Sequence, residues 1–181
     1  SFDYTAKVWD CYSGDMICDL KEHTAELSAC QFSYSGTHLI TASIDKTCKL
    51  WDIRNTSKSL TTFKGHKDEI IDCTFNLTGT KIATASSDST AKIYNVKTLQ
   101  PEFTLSGHEA EVSKVVFNSR GNILVTASLD KTAKLWDVET GQCKQTLEGH
   151  KEEIFSCAFN YEGNTLITAA KDNTCKVWKD D

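Results

Sequence analysis

The sequence holds a single proline, Pro101, in 181 residues, and its eight cysteines form no Cys-x-x-Cys pair. Without that spacing the usual zinc and thioredoxin-like arrangements are missing. No apolar run approaches the roughly 18–20 residues of a membrane-spanning helix. No Gly-x-Ser-x-Gly marks a nucleophile elbow. Nothing at the start reads as a signal peptide, and the first residue is Ser1 rather than Met. Basic residues are not in excess. The net charge is −5, which argues mildly against nucleic acid as the main partner. With 39% apolar and 25% charged residues, the chain can still build an ordinary globular core.

What the sequence has in abundance is one phrase. Residues 42–52 read ASIDKTCKLWD and residues 127–137 read ASLDKTAKLWD. Weaker copies are ASSDSTAKIYN at 85–95, AAKDNTCKVW at 169–178 and SFDYTAKVWD at 1–10. Its aspartate falls at Asp3, Asp45, Asp88, Asp130 and Asp172, in steps of 42, 43, 42 and 42 residues. The aromatic falls at Trp9, Trp51, Tyr94, Trp136 and Trp178, so all four tryptophans share one position. Histidine repeats likewise at His23, His66, His108 and His150, with only His38 outside the pattern. His38, between Thr37 and Leu39, reads as a residue that opens a strand.

The cysteines follow the same period. Cys30, Cys73 and Cys157 share one repeat position with Val115, and Cys48 and Cys175 share another with Ala91 and Ala133. A cysteine that alternates with Val or Ala behaves as a small buried hydrophobe. These thiols are therefore expected to be reduced and structural, as in a cytosolic protein.

Within each repeat the pattern is that of strands. Runs such as EIIDCTFN (69–76) and EIFSCAFN (153–160) alternate at period two. A turn with Gly36, Gly79, Gly121 or Gly163 follows, then a β-rich run such as LITAS (39–43), then the Asp turn. TCKLW (47–51) alternates again, with Cys48 and Leu50 on one face, and a short run such as SLTTF (59–63) ends the unit. Four short strands repeated every 42–43 residues predict an all-β chain of β-propeller blades, each a four-stranded antiparallel sheet. Pro101 falls on an outer strand, where a missing N–H is tolerated.

GH at 65–66, 107–108 and 149–150, with EH at 22–23, precedes WD at 51–52 and 136–137, with YN at 94–95 and WK at 178–179. With the WD at 9–10, this resembles the WD40 signature over essentially the whole chain. The units are 1–22, the third and fourth strands of a truncated first blade; 23–64, 65–106 and 107–148, each a full repeat; and 149–181, a last repeat lacking its outer strand. They predict a partial ring of about four blades, half of a seven- or eight-bladed propeller and the C-terminal half of a longer protein. Open blade edges would let the chain self-associate, and two copies could approximate an eight-bladed ring.

The WD40 resemblance implies a hydrogen-bonded tetrad in each blade. The matching residues are His23, Thr41, Asp45 and Trp51; His66, Thr84, Asp88 and Tyr94; His108, Thr126, Asp130 and Trp136; and His150, Thr168, Asp172 and Trp178. Tyr94 departs from the pattern and should leave its blade looser. Thr–His–Asp also resembles a hydrolase triad, but a catalytic set need occur only once and this one occurs four times. No enzyme activity, cofactor or metal is expected. Function should sit on solvent-facing loops. The resemblance puts the loop after each His on one narrow face with the Asp turn. That face offers Glu26, Glu69, Glu111 and Glu153, then Asp68 and Glu152, the lysines Lys46, Lys131 and Lys171, and Ile44 and Leu129 as exposed apolar residues. Such a face suits a basic or amphipathic partner segment.

The stretches GQCKQTLEGHKEEIFSCAFNYEGNTLITAAKDNTCKVW (141–178) and GHKDEIIDCTFNLTGTKIATAS (65–86), with the opening SFDYTAKVWD, resemble the WD-repeat outer-arm dynein assembly factors. That resemblance implies a non-catalytic cargo adaptor with outer-arm dynein and intraflagellar transport subunits as partners, working in the cytoplasm and in the cilium or flagellum. A general WD40 scaffold or ubiquitin-ligase substrate receptor is the alternative. The periodic lysines Lys7, Lys49, Lys92, Lys134 and Lys176 read as a blade position rather than a nucleic-acid stripe.

Overall fold

The computed structural model describes residues 1–179. Its strands are all antiparallel, and no helix occurs among the described residues. The chain lays down five sheets in order. The first is β1 (Ala6–Trp9) and β2 (Met16–Leu20). The second is β3 (Leu27–Phe32), β4 (His38–Ser43), β5 (Cys48–Asp52) and β6 (Thr61–Phe63). The third is β7 (Ile70–Phe75), β8 (Lys81–Ser86), β9 (Thr90–Asn95) and β10 (Pro101–Ser106). The fourth is β11 (Val112–Phe117), β12 (Ile123–Ser128), β13 (Ala133–Asp137) and β14 (Cys143–Leu147). The last is β15 (Ile154–Phe159), β16 (Thr165–Ala170) and β17 (Cys175–Lys179). Each four-stranded sheet is a meander in sequence order, so the protein is a partial propeller of about four blades. Pro101 lies on β10, which pairs only with β9.

The core lies between sheets. Small residues of one sheet meet large residues of the next: Ala83, Ala85 and Ala91 pack with Val112, Leu124 and Trp136. Likewise Val125, Ala127 and Ala133 pack with Ile154, Cys157 and Leu166. Ile40, Leu50 and Phe63 pack with Ile70, Ile82 and Tyr94. Burying each large side chain contributes about 1.5–3 kcal/mol, so truncating Ile82 to Ala would cost about 2–5 kcal/mol.

Bulges recur at one place in every first strand, between Leu27 and Ala29, Ile70 and Asp72, Val112 and Lys114, and Ile154 and Ser156. The side chains at and just after the bulge tie successive first strands together. Ser113 Oγ donates to the Ile154 carbonyl at 2.6 Å, and the Phe75 N–H donates to Gln31 Oε1 at 2.6 Å. The buried Asp72 accepts from the Val115 N–H at 3.1 Å and from Lys114 Nζ at 3.0 Å.

The cysteines divide. Cys48, Cys73 and Cys157 are buried, but Cys30 and Cys175 are exposed, contrary to the expectation from their repeat positions. The reason is their place at the ends of the array. Cys73 and Cys157 are covered by the preceding four-stranded sheet, whereas Cys30 looks onto the two-stranded one. Burial pushes the Cys157 thiol up to about 12. The neighbouring Cys48 thiol and burial push Cys73 up as well, which leaves both unreactive.

Candidate functional site

The Asp turn begins from local chemistry. In the second sheet Asp45 Oδ1 accepts from the Thr47 N–H at 2.9 Å and from its hydroxyl at 2.6 Å. The Ser43 hydroxyl accepts from the Asp45 N–H at 3.0 Å. Lys46 takes a left-handed conformation, φ 69°, as do Ser89, Lys131 and Asn173 at the same repeat position. A side chain there is strained, and at Lys46 the flanking bonds, Asp45 N–H to the Ser43 hydroxyl and Thr47 to the Asp45 carboxylate, hold it in place.

The second carboxylate oxygen reaches out of the turn. Asp45 Oδ2 accepts from the Thr24 N–H at 3.0 Å and meets His23 Nδ1 at 2.8 Å. His23 Nε2 meets Thr41 Oγ1 at 2.8 Å, and the Trp51 indole N–H donates to the same oxygen at 3.0 Å. Because the carboxylate can only accept, Nδ1 carries the proton and Nε2 takes the threonine hydroxyl. The fourth sheet repeats this through His108, Thr126, Asp130 and Trp136, and the last through His150, Thr168, Asp172 and Trp178. In the third, His66 joins Asp88 at 2.9 Å and Thr84 at 2.8 Å.

Tyr94 stands in the tryptophan place there, and its buried hydroxyl has no hydrogen-bond partner. Burial pushes its phenol up; Thr84 is near enough to oppose that shift but makes no bond of good geometry. The ring itself packs on Phe63 at 4.5 Å between centroids. In the two-stranded sheet no histidine serves Asp3. Lys7 Nζ takes its place at 2.8 Å and holds the Asp3 carboxyl well below its usual range.

Burial lowers His23, His66 and His108 more than their aspartates raise them, so these imidazoles are neutral near pH 7. Burial alone would raise Asp88, yet bonds from Thr90, the Lys67 N–H and His66 hold it at about 2. Thr41, Thr84, Thr126 and Thr168 are 0% exposed, and each hydroxyl is committed to an imidazole. A hydroxyl closed off from solvent and bound on its reactive side has no room for a substrate carbonyl. Among the described residues no group of three or more His, Cys, Asp or Glu is placed to hold a metal ion.

The face around the Asp turns is more internally paired than its sequence suggested. Glu26, Glu69, Glu111 and Glu153 are half-buried, and their carbonyls accept from the N–H groups of Ile44, Ser87, Leu129 and Lys171 at 2.9–3.0 Å. Ile44 and Leu129 are half-buried too, not exposed apolar residues, because each sits in that turn-to-loop contact. Lys46 crosses to the next sheet, where its Nζ donates to the Lys67 carbonyl at 2.9 Å and lies 3.3 Å from Asp68. Lys131 does the same with the Lys151 carbonyl at 2.9 Å and Glu152 at 3.8 Å. Lys171 pairs with Glu153 in its own sheet at 3.3 Å. Between the third and fourth sheets the clasp changes, and the Ser87 hydroxyl donates to Glu111 at 2.8 Å. These clasps were not read from the sequence. Their signal was there, however: Lys46 with Asp68 and Lys131 with Glu152 change together to Ser89 with Ala110. Thr24, Lys67, Glu109 and Lys151, next after each histidine, are exposed.

Comparison with known proteins accords with this geometry. The family described as WD domain, G-beta repeat matches residues 14–52, 57–95, 99–137 and 141–179. The chain is 32% identical over 60 residues to WD repeat and SOCS box-containing protein 1 of Homo sapiens, and equally to that of Xenopus tropicalis. Those 60 residues are 33% of this chain and 14% of either relative. It is 39% identical over 54 residues to a coronin-like protein of Saccharomyces cerevisiae, covering 30% of this chain and 8% of that protein. The chain thus matches only a small part of the curated relatives' length.

Proposed function

Because the chain belongs to the WD40, G-beta repeat family, we propose that it is a non-catalytic platform that holds a protein partner on the face of its Asp turns. The observation that carries this reading is the clasping of that face from sheet to sheet by Lys46 and Lys131, which fixes the exposed Lys67, Asp68, Lys151 and Glu152 in space, while the Glu109 N–H is held by Asp130. Preorganised charges lose little entropy on docking, and their mixed signs favour register over raw affinity.

The finer proposal is that of a cargo adaptor. It would link outer-arm axonemal dynein to intraflagellar transport, in the cytoplasm and in the cilium or flagellum. The support is the resemblance of 141–178 and 65–86 to the dynein assembly factors. A second reading, a substrate receptor, is favoured by the similarity to WD repeat and SOCS box-containing protein 1.

Affinity purification from ciliated cells with the full-length protein as bait separates them. Recovery of dynein chains and transport subunits supports the adaptor, and recovery of ligase components supports the receptor. A parallel bait carrying Asp68→Lys, Glu109→Lys and Glu152→Lys tests the face. Undiminished recovery by a correctly folded variant moves the docking site elsewhere.

A further inference from the structure

The lysine clasp from sheet to sheet is made at two seams. Lys46 Nζ donates to the Lys67 carbonyl at 2.9 Å between the second and third sheets, and Lys131 Nζ donates to the Lys151 carbonyl at 2.9 Å between the fourth and the last. Between the third and fourth sheets the same turn position holds Ser89, left-handed like the two lysines, with φ 64° against 69° and 73°. A serine side chain ends far short of the next sheet. The carbonyl it would have to reach belongs to Glu109, which follows His108 as Lys67 and Lys151 follow His66 and His150.

The charges at the seams differ in the same way. Lys46 and Lys67 stand with Asp68 and Glu69, and Lys131 and Lys151 stand with Glu152 and Glu153, so lysines balance carboxylates. Between the first and second sheets Tyr4 takes the turn position, and Thr24, Ala25 and Glu26 bring a single carboxylate. The seam of Ser89, Glu109, Ala110 and Glu111 has two carboxylates and no lysine at these positions. Glu109 is exposed, and the half-buried Glu111 accepts from the Ser87 hydroxyl at 2.8 Å. Among the described residues no cation pairs with either glutamate. The place that an ammonium fills in two sister seams is kept here, with its negative charge.

We infer that a lysine side chain of the protein partner completes this seam. Its ammonium enters beside Ser89 and donates to the Glu109 carbonyl, as Lys46 and Lys131 do to theirs. The Glu109 and Glu111 carboxylates then take the role that Asp68 and Glu152 have at the sister seams. Lysine suits the place better than arginine, because the sister places take a compact ammonium on one carbonyl rather than a planar fork. Glu111 is already held by Ser87, so little side-chain entropy is lost when the charge arrives. The inference rests on the platform reading above and names what that face recognises: a partner segment that presents a lysine to the seam between the third and fourth sheets.

The test is affinity purification with the full-length protein as bait, then carbodiimide coupling of touching carboxylates and amines, then peptide mapping. The expected product joins a partner lysine to Glu109 or Glu111. A map without either glutamate overturns the inference; if it shows Asp68 or Glu152 instead, the platform reading stands, and a bait that brings down no partner ends both. Ser89→Lys fills the place from within, and the left-handed turn accepts it, as Lys46 and Lys131 show. Partner recovery should then fall at least about tenfold, the worth of one hydrogen bond to a charged group. Ser89→Asn keeps the turn, as Asn173 does in the last sheet, leaves the carbonyl open and should recover partner as the unsubstituted chain does. Undiminished recovery by Ser89→Lys, or equal loss in both variants, overturns the inference, with matching melting temperatures showing that both baits are folded.

Discussion

Thr126 Oγ1 lies 2.7 Å from His108 Nε2 and 2.8 Å from the Trp136 indole nitrogen, so one hydroxyl both donates and accepts inside the fourth sheet. Thr84 has only the first of these bonds, because Tyr94 brings no partner. Leaving a buried group unpaired costs about 1–3 kcal/mol. Thr126→Val strands an imidazole nitrogen and an indole N–H, Thr84→Val only an imidazole nitrogen. Urea unfolding should show the first variant weaker than the second by at least about 1 kcal/mol. Equal losses would mean that the indole bond contributes nothing.

Tyr94→Phe removes a hydroxyl that is buried without a partner and leaves the packing on Phe63 intact. Replacing an unpaired buried polar group by an apolar one is neutral or stabilising. The variant should unfold at the same urea concentration or a higher one. A loss of more than about 1 kcal/mol would show that the phenol is hydrogen-bonded in solution.

Gly163 and Gly36 both have left-handed backbones, φ 73° and 68°. A Cβ at Gly36 meets nothing within 4 Å, whereas one at Gly163 would lie 2.6 Å from Ser119 Oγ and 3.1 Å from the Ser119 backbone nitrogen. Gly36→Ala should cost about 1–2 kcal/mol, from the conformation alone. Gly163→Ala adds a clash with the neighbouring turn and should cost clearly more. Thermal melts of the two variants side by side decide it, and equal melting temperatures would show that the Ser119 turn yields freely.

Acid should weaken the fold in two stages. His23, His66 and His108 are lowered in the folded chain, so the unfolded chain binds protons first as pH falls through about 6.5. Asp45, Asp88 and Asp130 are lowered as well, which adds a second loss below about pH 4 as unfolded carboxylates protonate. Both contributions have the same sign and are fully present above pH 7. The melting temperature should fall from pH 7 to 5 and fall faster below 4. A melting temperature higher at pH 5 than at pH 7 would contradict neutral imidazoles.

Asp72→Ala removes the acceptor shared by the Val115 N–H and Lys114 across two sheets. Lys114 is partly exposed and can turn to water, so the loss should be about 1–3 kcal/mol, mainly from the stranded N–H. Asp72→Asn keeps an oxygen for Val115 and should recover part of it in the same urea titration. Equal loss in both variants would place the energy in the ion pair.

The period of 42–43 residues, the alternation within each run and the Asp turns are local in the chain, and together they determine the blade and its four strands. Imidazole, carboxylate and aromatic recur at fixed offsets, and the WD40 resemblance adds the hydroxyl, so His108, Thr126, Asp130 and Trp136 could be named together from the sequence. What lies between sheets was not. Cys30 and Cys73 hold one repeat position, yet one is exposed and the other buried, because burial depends on how complete the preceding sheet is. Lys46 and Glu26 read alike as charges offered to a partner on one loop face, but the lysine spans to the next sheet and the glutamate backbone anchors a turn. Sequence alone determines what each repeat does within itself, since those bonds link residues at constant separation. Only the stacking of one sheet on the next decides which side chains are covered, clasped or left open.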